Sequence, residues 1–191
     1  FGNIGCLSFN TAKLLGAYGD GGAIVTDDAE LARYVSLARN HWNLAQLSVN
    51  KQDFPQPETV EWAWKSRLDN IQAAVLIVKL KYLTGNLARR DYIAQRYLSE
   101  LDGVVALPTT QPGQVWQEFH LRVQERPAFV EKMTAQGIET LVRDTTPYHK
   151  LPNLNVQLGH YDLPVTEAMS REIVRLPLHE WMNDDEVGMV I

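Results

Sequence analysis

A glycine-flanked lysine between two short apolar segments most restricts how this chain can fold. Lys13 follows the β-compatible segment Ile4–Phe9, and four glycines then lead into a second such segment, Gly22–Val25. Glycine lets the backbone turn sharply and approach a ligand closely. The stretch Ser8–Gly22 therefore predicts a tight connection between two strands that carries one lysine, away from any solvated helix face.

The residues alone leave two interpretations of Lys13 open. A lysine that is partly withdrawn from water becomes less basic and can act as an amine nucleophile. The alternative is a glycine-rich hairpin whose lysine is simply exposed to solvent. Composition and periodicity favour the hairpin, so a chemical role for the lysine has to come from other motifs.

The composition excludes several classes of function. The chain has 191 residues, 45% of them hydrophobic, with 23 acidic against 18 basic residues, as in a soluble globular protein of one or two domains. The net charge of -5 and the lack of a basic run argue against nucleic acid as a partner. Apolar windows such as Ala73–Leu80, which contains Lys79, are too short and too charged to span a membrane.

Cysteine and histidine usage limits the chemistry further. The single cysteine, Cys6, excludes an intramolecular disulfide and favours a reducing compartment, so we expect a cytoplasmic protein. The five histidines are scattered and form no local metal-binding motif, so no metal site is expected.

The first part of the chain alternates strand and helix. Asp27 and Glu30 resemble a capping box, and Leu31 begins an apolar helical face that ends near Asn40. The segment 42–64 has no period and predicts a long loop, which is either functional or a surface excursion.

Two helices and a boundary come next. One helix has its apolar face at Leu68, Ile71, Val75, Val78 and Tyr82, and after an interruption at Gly85-Asn86 a second amphipathic helix extends to Leu101. We therefore expect three parts, 1–85, a connecting helix 86–103 and a small α/β domain 104–191. The elements predicted in the last part are a strand 119–123, a helix between Pro127 and Gly137, strands 138–142 and 173–176, and helices opened by Pro164 and Asn183.

Several motifs, in order, resemble the DegT/DnrJ/StrS family of sugar aminotransferases. The resemblance covers nearly the whole chain. The motifs that carry it are Gly5-Cys6-Leu7-Ser8-Phe9 with Lys13, Gly19-Asp20-Gly21-Gly22 through Asp28 with Leu31-Ala32, Arg39-Asn40-His41, Ser66-Arg67-Leu68-Asp69-Asn70-Ile71-Gln72-Ala73-Ala74, Gly137-Ile138-Glu139-Thr140 with Pro147-Tyr148-His149, and Arg175-Leu176-Pro177-Leu178-His179.

The resemblance implies an α/β fold, the C-terminal part of a fold-type-I, pyridoxal 5'-phosphate-dependent transferase. Such enzymes are usually homodimers that move an amino group from an amino acid, glutamate or glutamine, to a nucleotide-linked keto-sugar. By position, Lys13 forms the Schiff base with the cofactor and Ser8 binds its phosphate, while Lys65 and Arg67 reach the phosphate in the neighbouring subunit. Tyr148 and His149 are the expected substrate contacts.

The chain departs from the family pattern at three places. Thr11-Ala12 replaces a proline before the lysine, Lys65 replaces an asparagine, and Asp144 stands where a tyrosine is usual. The family's N-terminal groups that bind the pyridine ring are not found, so we expect a fragment with little activity of its own. A non-catalytic regulatory or binding relative, or an inactive fragment, therefore remains the alternative. A dehydratase of this fold is disfavoured because it would carry histidine at Lys13.

Overall fold

The computed structural model describes residues 2–40, 64–143, 145–154 and 159–191. These residues belong to two compact units, Phe1–Leu83 and Thr84–Ile191. The loop predicted at 42–64 lies outside the described residues except for Trp64, and so does Asp144.

The first unit contains the predicted pair of strands. Strand β1, Gly5–Ser8, pairs antiparallel with β2, Gly22–Val25, so that Ser8 faces Gly22 at the end nearest the connecting segment. Both strands confirm the sequence prediction. The register places the two ends of the lysine-bearing segment side by side.

Helix α1, Ala29–Ala38, begins one residue later than its predicted cap implies. Asp28, not Asp27, is the N-cap, because its backbone is extended and its carboxylate accepts from the N–H groups of Glu30 and Leu31 at 2.8 and 3.1 Å. Two unsatisfied backbone donors of the first turn are thereby paired.

Helix α2, Asn70–Leu80, is capped by Asp69, whose carboxylate accepts from the N–H of Gln72 at 2.8 Å. The apolar face predicted from periodicity is not the buried side within this chain: Ile71 is 74% exposed and Val78 is also exposed, whereas Leu76 is buried. Apolar residues lie on several sides of this helix, so periodicity alone could not select the buried side.

The long helix α3, Leu83–Glu100, belongs to the second unit except for its first residue. The predicted interruption at Gly85-Asn86 was wrong, because both residues lie inside this helix. A single glycine in a helix interior costs only about 1 kcal/mol, which an 18-residue amphipathic helix can offset by packing.

The second unit contains six further elements with defined bounds among the described residues. They are β3 (Phe119–Arg122), α4 (Arg126–Ala135), a 3-10 turn (Tyr148–Lys150), α5 (Pro164–Glu172), β4 (Ile173–Leu176) and α6 (Asp184–Val190). Strands β3 and β4 pair antiparallel, and α4 is followed by Gly137 with φ +77°, a left-handed conformation that favours glycine as a helix stop.

The strand predicted at 138–142 was wrong. Within the described residues of that segment only Leu141 bridges a strand, through its two backbone hydrogen bonds with Arg175 at 3.0 and 3.1 Å. Ile138 instead joins the core around Tyr97 and Phe119, whose ring centroids lie 5.1 Å apart in an edge-on arrangement. Burial of an apolar side chain, rather than strand pairing, explains the apolar character of this segment.

Candidate active site

The segment between β1 and β2 is folded onto itself by backbone hydrogen bonds. The N–H of Phe9 donates to Gly21 O at 2.7 Å, that of Ala17 to Phe9 O at 2.8 Å, and that of Lys13 to Asn10 O at 2.9 Å. Lys13 therefore lies on a compact bend, as its glycine-rich surroundings predicted.

Asn10 ties the two sides of this bend together. Its Nδ2 donates to Asp20 Oδ1 at 3.1 Å and its Oδ1 accepts from the N–H of Ala12 at 3.1 Å. Gly16 packs so closely that a Cβ there would lie 2.6 Å from Thr11 O, a backbone atom that cannot move aside. Any side chain at position 16 would therefore disturb the bend.

The side chains of Ser8 and Lys13 are both exposed on this segment. Of the two interpretations of Lys13 that the residues left open, the exposed lysine matches this chain, because the segment packs through Gly16 and Ala17, which are buried, and not through the lysine. Ser8 Oγ accepts from the N–H of Asn10 at 3.4 Å, which leaves its hydroxyl hydrogen available to donate to a ligand.

Lys65 and Arg67 line a cavity of about 1110 Å³ in the same unit. The N–H groups of Trp64 and Ser66 donate to Ala38 O and Arg39 O at 2.8 and 2.9 Å, which fixes this segment beside the end of α1. Strands β1 and β2 contribute further residues to the cavity, including Leu7 and Ile24. Arg39 lines the cavity as well, so three cationic side chains and apolar strand residues share one concave surface.

Tyr148 and His149, in the second unit, have different surroundings. Tyr148 is 67% exposed, whereas the His149 side chain is only 9% exposed and its Nε2 lies 3.1 Å from Glu167 Oε1 on α5. Lys150 Nζ approaches the same oxygen at 2.9 Å. The 3-10 turn is thus fastened to α5, and its tyrosine projects into solvent.

This cluster predicts a pH dependence of stability. Hydrogen bonds from Lys150 and then His149 lower the pKa of the Glu167 carboxyl from its ordinary 4.5 to about 2. Because the folded pKa is depressed, the stabilisation is complete above about pH 4.5 and is lost as the pH falls toward 2. In urea unfolding at a series of pH values, the stability difference between the parent and Glu167→Gln is expected to shrink across that window.

Glu139→Gln is the control, since this carboxylate is exposed in the same unit. A difference between the parent and Glu167→Gln that stays constant from pH 6 to about pH 2 would contradict the assignment.

A second cavity, of about 350 Å³, is lined in part by the motif Arg175–His179. Arg175 Nη1 donates to Glu118 Oε1 at 2.6 Å, while its Nε is buried without a partner among the described residues. Burial, followed by the charge of Arg175, lowers the pKa of the neighbouring His120 imidazole. The ion pair with Glu118 thus holds Arg175, the first residue of the motif, within its own unit.

Two further features concern metals and membranes. Across residues 2–40, 64–143, 145–154 and 159–191, no three His, Cys, Asp or Glu side chains are grouped as a metal ion would require. No helix among those residues is both long and apolar enough to cross a bilayer.

Sequence comparison connects these features to a known family. Residues 1–191 match the DegT/DnrJ/EryC1/StrS aminotransferase family. The chain belongs to this family. The resemblance inferred from the motifs is therefore confirmed.

Individual members of the family show the extent of the match. The chain is 36% identical to the erythromycin biosynthesis sensory transduction protein EryC1 of Saccharopolyspora erythraea, over 99% of this chain and 50% of that protein. It is 34% identical to dTDP-3-amino-3,4,6-trideoxy-alpha-D-glucose transaminase of Streptomyces venezuelae, over 92% of this chain and 45% of that enzyme. The chain thus spans about half the length of the curated relatives it matches.

A solved structure agrees with the fold. NtdA of Bacillus subtilis, with bound cofactor PMP, superposes with a TM-score of 0.85 at 29% identity, over 98% of this chain and 44% of that one. The predicted fold class, the C-terminal part of a fold-type-I α/β transferase, is confirmed.

Sequence reasoning assigned no role to the side chains that hold the lysine segment from outside it, although Gln72 lies within one of the motifs. Gln72 accepts from the N–H of Tyr18, and Lys79 donates to Gly16 O. The available signal was a lysine after a run of six apolar residues, two turns after a glutamine on the same face of the helix.

Proposed function

We propose that this chain is part of a pyridoxal 5'-phosphate-dependent aminotransferase that moves an amino group from an amino acid, glutamate or glutamine, to a nucleotide-linked keto-sugar. The observation that carries the proposal is the exposed amine of Lys13 on a rigid bend, in a chain that belongs to an aminotransferase family. The transaminase activity in the name of the Streptomyces venezuelae relative supports the class of substrate.

The groups on the first unit fit this cofactor chemically. An aldehyde requires a primary amine and a phosphate requires hydroxyl or cationic donors; Lys13, Ser8, Lys65 and Arg67 supply this set. When bound, the cofactor supplies an electron sink that makes removal of a proton from the amino-bearing carbon possible. The PMP bound in the similar NtdA structure supports the same cofactor.

We assign the following roles to the chain's own residues. Lys13 attaches covalently to the cofactor aldehyde and, once displaced by the amino donor, moves the proton at the reacting carbon. The Ser8 hydroxyl donates to the phosphate. Tyr148, which projects into solvent, and His149 are assigned to the keto-sugar, His149 through the position that its contact with Glu167 gives it.

Lys65 and Arg67 are assigned to the phosphate of a neighbouring subunit in a homodimer. Both line an open surface with apolar strand residues, which suits a contact with a second chain. We also assign residues 1–85 to the large cofactor-binding domain, 86–103 to a connecting helix and 104–191 to the small domain. The single cysteine, exposed and unpaired at Cys6, supports a cytoplasmic location.

A non-catalytic regulatory role is the second candidate. The relative EryC1 is named a sensory transduction protein, and a relative at 30% identity in Geobacillus stearothermophilus is named a pleiotropic regulatory protein. Covalent capture of the cofactor by the lysine would distinguish the two, because a protein that uses the fold only for association does not require that bond.

The test is reduction of the cofactor-loaded protein with borohydride, followed by peptide mapping. The expected result is a stable pyridoxyl adduct on the peptide that contains Lys13 and none on the peptide of the exposed Lys81. An adduct confined to other lysines, or no adduct in protein that retains the cofactor, would contradict the proposal.

A further inference from the structure

Helix α2 holds the lysine segment at two backbone groups. Gln72 Oε1 accepts from the N–H of Tyr18 at 2.8 Å, and Lys79 Nζ donates to Gly16 O at 2.7 Å. The two side chains are two turns apart on one face of the helix, so they contact the segment together. Lys79 Nζ also lies 5.0 Å from the centroid of the Tyr18 ring, a distance typical of a cation–π contact.

The part of the segment that α2 contacts is closely packed. Gly16 is buried, and a Cβ there would collide with the backbone of Thr11 and Asn10 at 2.6 and 2.7 Å. Gly19 is close to α2 as well, since a Cβ there would lie 3.0 Å from Gln72 Nε2. Gly16 therefore packs directly on the turn that contains Lys13.

Lys79 is an unusual residue at its position. Helix α2 is otherwise apolar along this stretch, and a partly buried ammonium group must find an acceptor there or lose stability. Its acceptor is the carbonyl oxygen of Gly16, in the lysine segment. Hydrogen bonds from charged donors are about twice as strong as neutral ones, so this contact restrains the segment more than an uncharged donor would.

We propose that Lys79 and Gln72 are positioning residues for Lys13: they hold Gly16 and Tyr18 against α2, which fixes the lysine backbone while its side chain stays free to react. The effect on the reaction of Lys13 rests on the proposed function. The restraint of the segment by α2 does not. Neither residue is assigned a contact with substrate or cofactor.

The restraint can be measured without the cofactor, by amide hydrogen exchange in the protein. Lys79→Met and Gln72→Leu are each expected to raise the exchange rate of the Tyr18 amide and its neighbours by about tenfold or more. Lys79→Arg keeps a cationic donor and Gln72→Glu keeps the acceptor oxygen, so both should stay near the parent rate. Lys81→Met is the matched control, because Lys81 is exposed at the end of the same helix.

A second readout uses the loaded protein. Lys79→Met is expected to lower the yield of borohydride-trapped adduct at Lys13 severalfold at a fixed cofactor concentration, and Lys79→Arg to restore it. If the parent is trapped at Lys13 but neither Lys79→Met nor Gln72→Leu changes the amide exchange rate or the adduct yield, the positioning role is overturned. The proposed function then remains intact. Faster exchange in both variants, with no trapping in the parent, would support the restraint and overturn the proposed function.

Discussion

Replacing Lys13 with alanine is expected to lower the rate of amino-group transfer by at least about 1000-fold, because in the proposed function this one side chain would supply both the covalent bond and the proton carrier. The exposed position of Lys13 on a bend that packs through other residues means that the variant should fold normally. The measurement is the half-reaction between the cofactor-loaded protein and the amino donor, followed by absorbance.

Two controls separate chemistry from structure. Lys81→Ala removes an exposed lysine of the same unit and should leave the rate unchanged. Added small primary amines should restore part of the lost rate in Lys13→Ala, since they replace the proton carrier but not the tether. A rate in Lys13→Ala within about tenfold of the parent would refute the assignment of this lysine.

The largest expected effect on stability is at Arg90, in the middle of α3. Its Nε donates to Glu180 Oε2 at 2.8 Å, and its Nη1 donates to Leu178 O at 3.0 Å and Gln117 O at 3.1 Å. Arg90 is 15% exposed and Glu180 21%, so truncation leaves a mostly buried carboxylate and two carbonyls without this donor. Arg90→Ala should reduce the free energy of unfolding by about 3 kcal/mol.

Denaturant unfolding, followed by tryptophan fluorescence, to which the buried Trp116 contributes, would measure this loss. Arg96→Ala is the matched control on the same helix, because its contact with Glu100 is a solvent-exposed pair and should contribute little. The loss in Arg90→Lys should fall between those of Arg90→Ala and Arg96→Ala. Lysine keeps the positive charge but lacks the planar guanidinium that donates to several acceptors at once. Equal losses in Arg90→Ala and Arg96→Ala would show that the network is not structural.

Local chemistry made much of the fold predictable. The strands at Gly5–Ser8 and Gly22–Val25, the Pro164 helix start and the capping box of Asn183 with Glu186 all depend on neighbours within a few residues. Predictions failed where distant packing decides the outcome. The buried side of α2 and the irregular segment after Gly137 depend on what the rest of the chain places against them.

The sequence by itself determined the family, through motifs in a fixed order, and with it the one lysine on which the proposed chemistry depends. Only the tertiary structure decided what holds that lysine. The contacts of Gln72 with Tyr18 and of Lys79 with Gly16 join residues more than 50 positions apart, whereas each motif is defined by spacings within one short segment. Which side chains meet across such a distance depends on how the elements pack in three dimensions. Periodicity predicts only which residues share a face of one element.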